Sequence, residues 1–136
     1  MVDGRRREQG GGGGPERDAT AIDRLFASAV ARHQAGDLEN ADALYDRILS
    51  VAPEHPDALN LKSVLALQAG RPETATKHLE RLLTLGHERP EYLFNLGLAL
   101  SAQGHLRAAE ERFRRAIALE PNYAQAYNNL GNTLQE

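Results

Sequence analysis

The feature that most constrains how this chain folds is a spacing of 34 residues, at which side chains of similar size return. Small residues recur at three places in each interval, and a large apolar residue follows one of them by four positions. The series are Gly36, Gly70 and Gly104; Ala41, Ala75 and Ala109; Ala29, Ser63, Gly97 and Gly131; and Tyr45, Leu79 and Phe113, while Pro53 and Pro121 lie two intervals apart. Self-similarity at a fixed interval of this length indicates a helical solenoid built from stacked repeats.

The repeat is clearest between Pro90 and Tyr123, where two amphipathic patterns are joined by Gly104. Apolar or small residues recur at helical spacing in both halves, so each half predicts one face of an α-helix. A glycine after the first half and Pro121 after the second half end the two helices. The residues of the two faces are Leu93, Leu96, Gly97 and Leu100, followed by Ala109, Phe113, Ala116 and Ile117.

The interval divides the chain into a tail over residues 1–19 and a repeat domain over residues 20–136. The tail holds three consecutive arginines and five consecutive glycines, with too few apolar side chains to offset the entropy of ordering, so we expect it to be flexible. We predict repeats at about 22–55, 56–89 and 90–123, with a partial repeat at 124–136. Helices are expected over 21–35, 38–51, 57–69 and 72–85 in the first two repeats.

The final stretch, from Ala124 onward, repeats the first helix of a unit with no second helix after it. We expect this helix to cover the third repeat with Tyr127, Leu130 and Leu134. A terminal capping repeat usually has a polar outer face, whereas this helix has the pattern of an internal one. We therefore expect the chain to be a fragment, or a truncated form, of a longer array.

The repeat resembles the tetratricopeptide repeat (TPR), whose period is also 34 residues. The TPR pattern has a large residue at place four, Leu-Gly at seven and eight and a large residue at eleven, then Ala, an aromatic residue, Ala and Pro at twenty, twenty-four, twenty-seven and thirty-two. The third repeat matches throughout. The first two are looser, since Arg32 and Lys62 occupy apolar places and His87 replaces the proline. The resemblance implies an all-α fold, a right-handed TPR superhelix (α-solenoid) of helix-turn-helix hairpins.

Composition argues against several classes of function. The formal net charge is -3 and there is no basic stripe, so we expect no nucleic-acid partner. No run of about 18 apolar residues is present, so we expect no membrane span. The chain has no cysteine, which excludes disulfides and thiol chemistry. The N-terminal arginines are not followed by the apolar segment of a secretory signal, and we expect a cytoplasmic location.

Motifs of catalysis are missing from the sequence. It contains no phosphate-binding loop, no nucleophile elbow, no zinc-protease helix motif and no paired CxxC. Its five histidines are never three or four residues apart, the spacing that places two ligands on one helix face. We therefore expect no catalytic residue, no metal site and no cofactor, and we expect that this chain is not itself an enzyme.

The family resemblance implies a function in binding. In TPR arrays the first helix of each unit lines the concave wall, so places two, five, six, nine and twelve face a groove. An asparagine amide carries both donors and an acceptor, so asparagines in the groove can hydrogen-bond an extended peptide backbone without reading its side chains. The predicted peptide-binding residues are Phe94, Asn95 and Leu98 in the third repeat, and Asn128, Asn129 and Asn132 in the fourth.

These places allow two other interpretations. Asparagine is also tolerated on a solvated helix face, and both interpretations of the asparagines stay open. Ala27 and Leu61 occupy the place that holds Asn95 and Asn129 in the later repeats, so any ladder of amides is interrupted. A carboxylate clamp of the chaperone-tail-binding kind is rejected, because it needs Lys and Arg at places that hold Phe26, Asn60, Phe94 and Asn128.

We therefore predict a protein-interaction module that binds an extended peptide or a partner helix on its concave face. An alternative comes from the stretch AYNNLGNTLQE, which resembles the repeats preceding the catalytic region of O-linked N-acetylglucosamine transferases and their SPINDLY-like relatives. That resemblance implies the substrate-recruiting arm of a larger glycosyltransferase, sulfotransferase or methyltransferase. A third hypothesis is a spacer or self-association unit whose last helix pairs between chains. The sequence leaves the oligomeric state open.

Overall fold

A computed structural model describes residues 19–135, and every regular element in this part of the chain is an α-helix. The predicted all-α repeat class is therefore confirmed, and the predicted tail lies outside the described residues except for Ala19. None of the described helices combines the length and the apolar character that a membrane span requires. The helices are α1 (Ala19–Gln34), α2 (Leu38–Val51), α3 (Pro56–Gln68), α4 (Pro72–Thr84), α5 (Pro90–Ala102), α6 (Leu106–Leu119) and α7 (Ala124–Gln135).

The chain divides into two compact units, one ending at Ala58 and the other beginning at Leu59. The division falls in the first turn of α3, so most of that helix belongs to the second unit. The first unit contains the hairpin of α1 and α2, and the second contains α4 to α7 with the rest of α3. The helix bounds agree with the predicted ones to within about two residues, which is the ordinary uncertainty of a helix end.

The hairpin turns each end their first helix with a left-handed glycine. Gly104 follows α5 with φ +84°, a conformation that residues with a Cβ rarely adopt. The N–H groups of Gly104 and His105 donate to carbonyls in the last turn of α5 at 3.0 and 2.9 Å, the two bonds of a Schellman motif. Gly36 and Gly70 end α1 and α3 with the same pair of bonds. The repeated glycine is thus explained by the turn.

In the first unit, α1 and α2 pack through small residues. Ala29 of α1 and Ala41 of α2 have no exposed surface, so the two helix axes approach closely. Tyr45 of α2 is also fully buried, and its ring centroid lies 6.5 Å from that of Phe26. Its hydroxyl lies 3.1 Å from Nδ1 of His33, and this hydrogen bond offsets the cost of burying the hydroxyl.

In the second unit one close helix contact is made at a glycine. Here α4 packs on α5, α5 on α6, and α6 on α7. A Cβ built on Gly97 of α5 would lie 2.5 Å from Cε1 of Phe113 on α6, which is too close for any side chain. Ser63 of α3 occupies the equivalent place one repeat earlier and is fully buried. Its hydroxyl donates to the carbonyl of Leu59 at 2.9 Å, so no polar group is left unsatisfied.

The last helix corrects one prediction. α7 does cover α6, but the residues of α7 that are buried are Ala126, Leu130 and Thr133. Tyr127 and Leu134, which the sequence placed in this contact with Leu130, are 52% and 56% exposed. The physical reason is that they lie on the face that the second helix of a hairpin covers, and residues 19–135 include no second helix for α7.

Candidate functional site

The first helices of the hairpins in the second unit carry five asparagines, which we call the asparagine row. They are Asn60 on α3, Asn95 on α5, and Asn128, Asn129 and Asn132 on α7. Nδ2 of Asn95 donates to Oδ1 of Asn60 at 3.0 Å, which joins α3 to α5, and both side chains are half-buried. Because α5 also contacts α7, the three helices adjoin in chain order.

On α7 the asparagines differ in their surroundings. Asn128 and Asn132 are exposed and lie one turn apart on the same helix face. Asn129 is half-buried, and its Nδ2 donates to the backbone carbonyl of Gln125 at 2.9 Å. Asn95 and Asn129, which occupy the same place in their repeats, therefore use different partners: Asn95 bonds a neighbouring helix, whereas Asn129 bonds its own.

Phe94 and Leu98 accompany the asparagine row on α5. Phe94 is only 9% exposed, because its ring lies 5.2 Å from the ring of Tyr123 and 5.8 Å from that of Phe113 between centroids. Leu98 is half-buried. Of these two predicted site residues, Leu98 is exposed to the larger fraction, while Phe94 is buried.

Electrostatically, the asparagine row is neutral, and so is the aromatic group next to it. Burial raises the pKa of Tyr123, and the nearby carboxylates of Glu120 and Glu91 raise this pKa further. Tyr123 is therefore an uncharged phenol at neutral pH, able to donate or accept a hydrogen bond. A neutral surface of amides and apolar groups suits the uncharged amides of a peptide backbone better than a charged terminus.

Asn60 is the residue that the sequence reasoning did not include in the site. It occupies place five of the second repeat, whereas Asn95 occupies place six of the third, so a comparison at equal places does not pair them. Their separation is 35 residues, one more than the repeat length. The sequence does contain a signal for this pair, namely an asparagine one place earlier in the preceding repeat. Because neighbouring first helices are offset, that place lies beside Asn95.

Among the described residues, those of the candidate site can form hydrogen bonds and apolar contacts with a ligand. No group of three or more His, Cys, Asp or Glu side chains in residues 19–135 is placed to hold a metal ion. Every buried side-chain nitrogen or oxygen in this part of the chain has a hydrogen-bond partner. The asparagine row combines accessible polar atoms with a position on adjoining helices.

Comparison with protein families gives two matches. One family model, described as Tetratricopeptide repeat, matches residues 32–96, and another, described as TPR repeat, matches residues 100–136. Together they account for most of the described chain, and they include all of α6 and α7 and all of α5 except residues 97–99. A comparison with curated proteins found no significant match.

Comparison with solved structures finds TPR domains and a transferase. The first TPR domain of Spaghetti (RPAP3), bound to an HSP90 peptide, superposes with a TM-score of 0.82 at 19% identity, covering 87% of this chain and 94% of that one. The Sgt2 TPR domain from Aspergillus fumigatus gives a TM-score of 0.77 at 23% identity, covering 84% of this chain and 77% of that one. At these identities the similarity concerns the fold.

An O-GlcNAc transferase from Thermobaculum terrenum is more similar in sequence. It superposes with a TM-score of 0.81 at 30% identity and covers 87% of this chain. This chain spans only 23% of the transferase. The similarity therefore extends over nearly all of the present repeats and over less than a quarter of the larger protein.

Proposed function

Because this chain belongs to the tetratricopeptide-repeat family, we propose that it is a protein-interaction module that binds an extended peptide or a partner helix. The proposed binding surface is the asparagine row with Leu98, supported from beneath by Phe94. The observation that carries the proposal is the hydrogen bond between Asn95 and Asn60, because it sets two amides of adjoining first helices side by side.

When this hydrogen bond is formed, Asn60 and Asn95 still have polar atoms that are complementary to a peptide unit. Asn95 uses one N–H group as the donor, and Asn60 uses its amide oxygen as the acceptor. An asparagine amide has two N–H groups and one oxygen, so the Asn60 N–H groups and the Asn95 oxygen remain for a ligand. One donor beside one acceptor matches the C=O and N–H of a peptide unit. Asn128 and Asn132, exposed on α7, extend the same chemistry along the second unit.

The test begins with peptides selected against the whole chain from a random-sequence library. Their affinity is then measured by calorimetry for the wild type and for the double variant Asn60→Ala with Asn95→Ala. A hydrogen bond contributes about 0.5–1.5 kcal/mol net, so losing two, or about 1–3 kcal/mol, should weaken binding by roughly 5- to 140-fold. A second double variant, Asn128→Ala with Asn132→Ala, reports whether the ligand extends to α7.

A matched control separates recognition from stability. Arg107→Ala with Glu111→Ala removes two exposed polar side chains from α6, the second helix of the third repeat. This variant should bind the selected peptides as the wild type does. If both asparagine double variants bind with unchanged affinity while remaining folded by circular dichroism, the asparagine row is not the binding surface.

A second candidate function is favoured by the similarity to the O-GlcNAc transferase at 30% identity. If this chain is part of such a transferase, the same surface recruits a polypeptide substrate for a catalytic domain of a longer protein. The residues of this chain then contribute only to binding the substrate. Sequencing the gene downstream of Glu136 decides between the two. A nucleotide-sugar-binding domain supports the recruiting arm, and a stop codon or further repeats alone support the independent module.

A further inference from the structure

A histidine caps the start of α3. The N–H of Ala58, the third residue of this helix, donates to Nδ1 of His55 at 3.1 Å. A side chain that precedes a helix and accepts from its third N–H is in the N-cap arrangement, for which Ser, Thr, Asp and Asn ordinarily supply an oxygen atom. Here a ring nitrogen takes that role. Ala58 has no exposed surface, so no water reaches its N–H in place of the imidazole.

Contacts within the first compact unit hold the imidazole at this position. The ring of His55 lies 5.6 Å from the ring of Phe26 on α1 between centroids, at an angle of 35°, and the residue is half-buried. Its own backbone N–H donates to the carbonyl of Ala52 at 3.0 Å, which closes the turn between α2 and α3. Ring and backbone together therefore fix Nδ1 at the start of α3.

The hydrogen bond from Ala58 requires a neutral imidazole. A backbone N–H only donates, so Nδ1 of His55 carries no proton and the ring proton is on Nε2. Protonation places an N–H on Nδ1, where it faces the N–H of Ala58, and the acceptor is lost. Protonation also places a positive charge at a helix N-terminus, where cations are unfavourable. Acid therefore weakens the cap through both effects.

His33, in the same unit, has a partner that tolerates both charge states. Its Nδ1 lies 3.1 Å from the hydroxyl oxygen of Tyr45. A phenol hydroxyl donates to a neutral ring and accepts from a protonated one, so this hydrogen bond persists when the imidazole gains a proton. A backbone N–H has no such alternative. The partner thus makes the contact of His55 sensitive to acid and that of His33 insensitive.

Carboxyl groups, a phenol and a second imidazole come from the elements next to His55. Carboxyl groups and phenols ordinarily titrate outside the range of about pH 5–8, whereas histidine titrates within it. A response between about pH 7.5 and 5.5 is therefore expected to come from histidine. The neighbouring groups are Glu54 and Asp57 on either side in the chain, Asp23 and His33 at helical spacing from Phe26 on α1, and Tyr45 on α2.

We propose that His55 is a pH-sensitive cap of α3, which fixes the start of this helix when neutral and releases it when protonated. Asn60 lies two residues after Ala58 on the same helix, and its amide oxygen accepts from Asn95 at 3.0 Å. Fraying from the helix start therefore reaches a residue of the proposed peptide surface. The effect on peptide binding rests on the proposed function, whereas the cap itself does not.

Hydrogen exchange of the full chain, followed by NMR at about pH 7.5 and 5.5, tests the cap. The measured quantity is the protection factor, which removes the intrinsic pH dependence of exchange. For the N–H groups of Ala58, Asn60 and Leu61 it should fall at the lower pH by about 2- to 30-fold, the factor that corresponds to a lost N-cap. Equal protection of the wild type at the two pH values overturns the proposal.

Variants assign this response to His55. His55→Asn supplies an oxygen acceptor that does not titrate, so its protection factors should be the same at both pH values. His55→Ala supplies no acceptor and should be poorly protected at both. His105 precedes α6 without a side-chain cap bond, so His105→Ala should respond to pH as the wild type does. A fall in the His55→Asn variant equal to that of the wild type overturns the proposal, as does a response abolished by His105→Ala.

Peptide binding tests the consequence for the proposed function. A selected peptide without titratable side chains should bind the wild type more weakly at about pH 5.5 than at about pH 7.5, by at most about 30-fold. His55→Asn should bind it equally at both. Equal weakening of both proteins would contradict the link between the cap and binding. If no selected peptide depends on Asn60 and Asn95, the proposed function fails, while the protection factors still decide whether His55 is a pH-sensitive cap.

Discussion

At the scale of single residues, Gly97 and Gly131 show how one side chain decides whether a glycine is required. Both occupy the same place in their repeats and lie within helices. Gly97 is pressed against the buried ring of Phe113, whereas Gly131 faces open space. The same residue type is therefore a packing requirement at one position and a cost in helix propensity at the other.

We expect opposite effects when each of these two glycines is replaced by alanine. Alanine favours a helix over glycine by about 0.5–1 kcal/mol, so Gly131→Ala should be neutral or slightly stabilising. Gly97→Ala should destabilise by about 1–3 kcal/mol, because Phe113 must move within a packed core. Urea unfolding measures both changes in stability. Equal effects at the two positions would show that the Phe113 contact does not govern Gly97.

Tyr45 makes stability depend on alkaline pH. Burial raises the pKa of Tyr45 to about 12, from about 10 in an unfolded chain. Because the folded value is the higher one, the neutral phenol stabilises the fold fully below pH 10, and this contribution is lost as the pH rises from about 10 to about 12.

Tyr45→Phe should therefore be less stable than the wild type at about pH 8 but lose less stability on going to about pH 11. The first effect comes from the missing hydrogen bond, and the second from a ring that cannot ionise. Urea midpoints at the two pH values give the comparison. Tyr127→Phe, which changes a tyrosine that is 52% exposed, is the control and should follow the wild-type pH dependence.

At the scale of helices, the residue that precedes the second helix differs from one repeat to the next. Asp37 precedes α2, and its Oδ1 accepts a hydrogen bond from the N–H of Asn40 at 3.4 Å. This bond satisfies one of the free N–H groups at a helix start. Arg71 and His105 hold the same place before α4 and α6 and make no such bond. The backbone at His105 nevertheless matches that at Asp37, with φ/ψ of -84°/70° against -86°/72°.

His105→Asp should therefore stabilise the protein by about 1 kcal/mol. The backbone already has the geometry of the Asp37 cap, and a negative charge is favourable at a helix N-terminus. Thermal unfolding of the wild type, His105→Asp and His105→Ala measures the gain. His105→Ala removes the same imidazole without supplying an acceptor, so it should bring no gain. A rise of the same size in both variants would attribute the effect to the loss of histidine.

Side chains also tie successive hairpins of the second unit to each other. Nε2 of Gln103, just after α5, donates to Oγ1 of Thr76 on α4 at 2.7 Å. Arg115 of α6 donates two hydrogen bonds to the carboxylate of Glu88, each at 2.8 Å. Because of this contact the pKa of Glu88 lies below its ordinary value. These bonds connect elements of neighbouring repeats, as nearest-neighbour stabilisation in repeat proteins requires.

At the scale of the whole molecule, the distribution of charge sets how binding should respond to salt. Charged pairs on the described helices and turns are formed by substantially exposed side chains. Examples are Arg32–Asp37, Arg89–Glu91, Arg114–Glu110 and Arg115–Glu88. The asparagine row, in contrast, is uncharged. Salt weakens interactions between exposed charges and leaves hydrogen bonds between neutral amides nearly unchanged.

Affinity for a selected uncharged peptide should consequently change by less than about threefold between roughly 50 and 500 mM salt. Calorimetry at the two salt concentrations gives the measurement. A peptide with the same sequence plus two terminal aspartates is the control, and it should not bind more tightly, because the row offers no Lys or Arg to a carboxylate. A fall of tenfold or more with salt would mean that charged residues outside the row carry the binding.

The sequence by itself determined the repeat, the helices and the turns. Each repeat carries its own local pattern of small residues, apolar spacing and terminal glycine, so positions such as Ala41, Ala75 and Gly104 could be placed without knowing their neighbours in space. The resemblance to the TPR family then identified the first helices as the ones to examine for binding.

Only the tertiary structure decided which residues meet between helices. The Asn60–Asn95 bond depends on the offset of α3 and α5, which a comparison at equal places in the repeat does not contain. Phe94 is buried because Phe113 and Tyr123 converge on it, and Tyr127 and Leu134 are exposed because nothing in residues 19–135 covers them. A helical pattern specifies an apolar face, but burial of that face also needs a neighbouring element, and the neighbours are set by how the repeats stack.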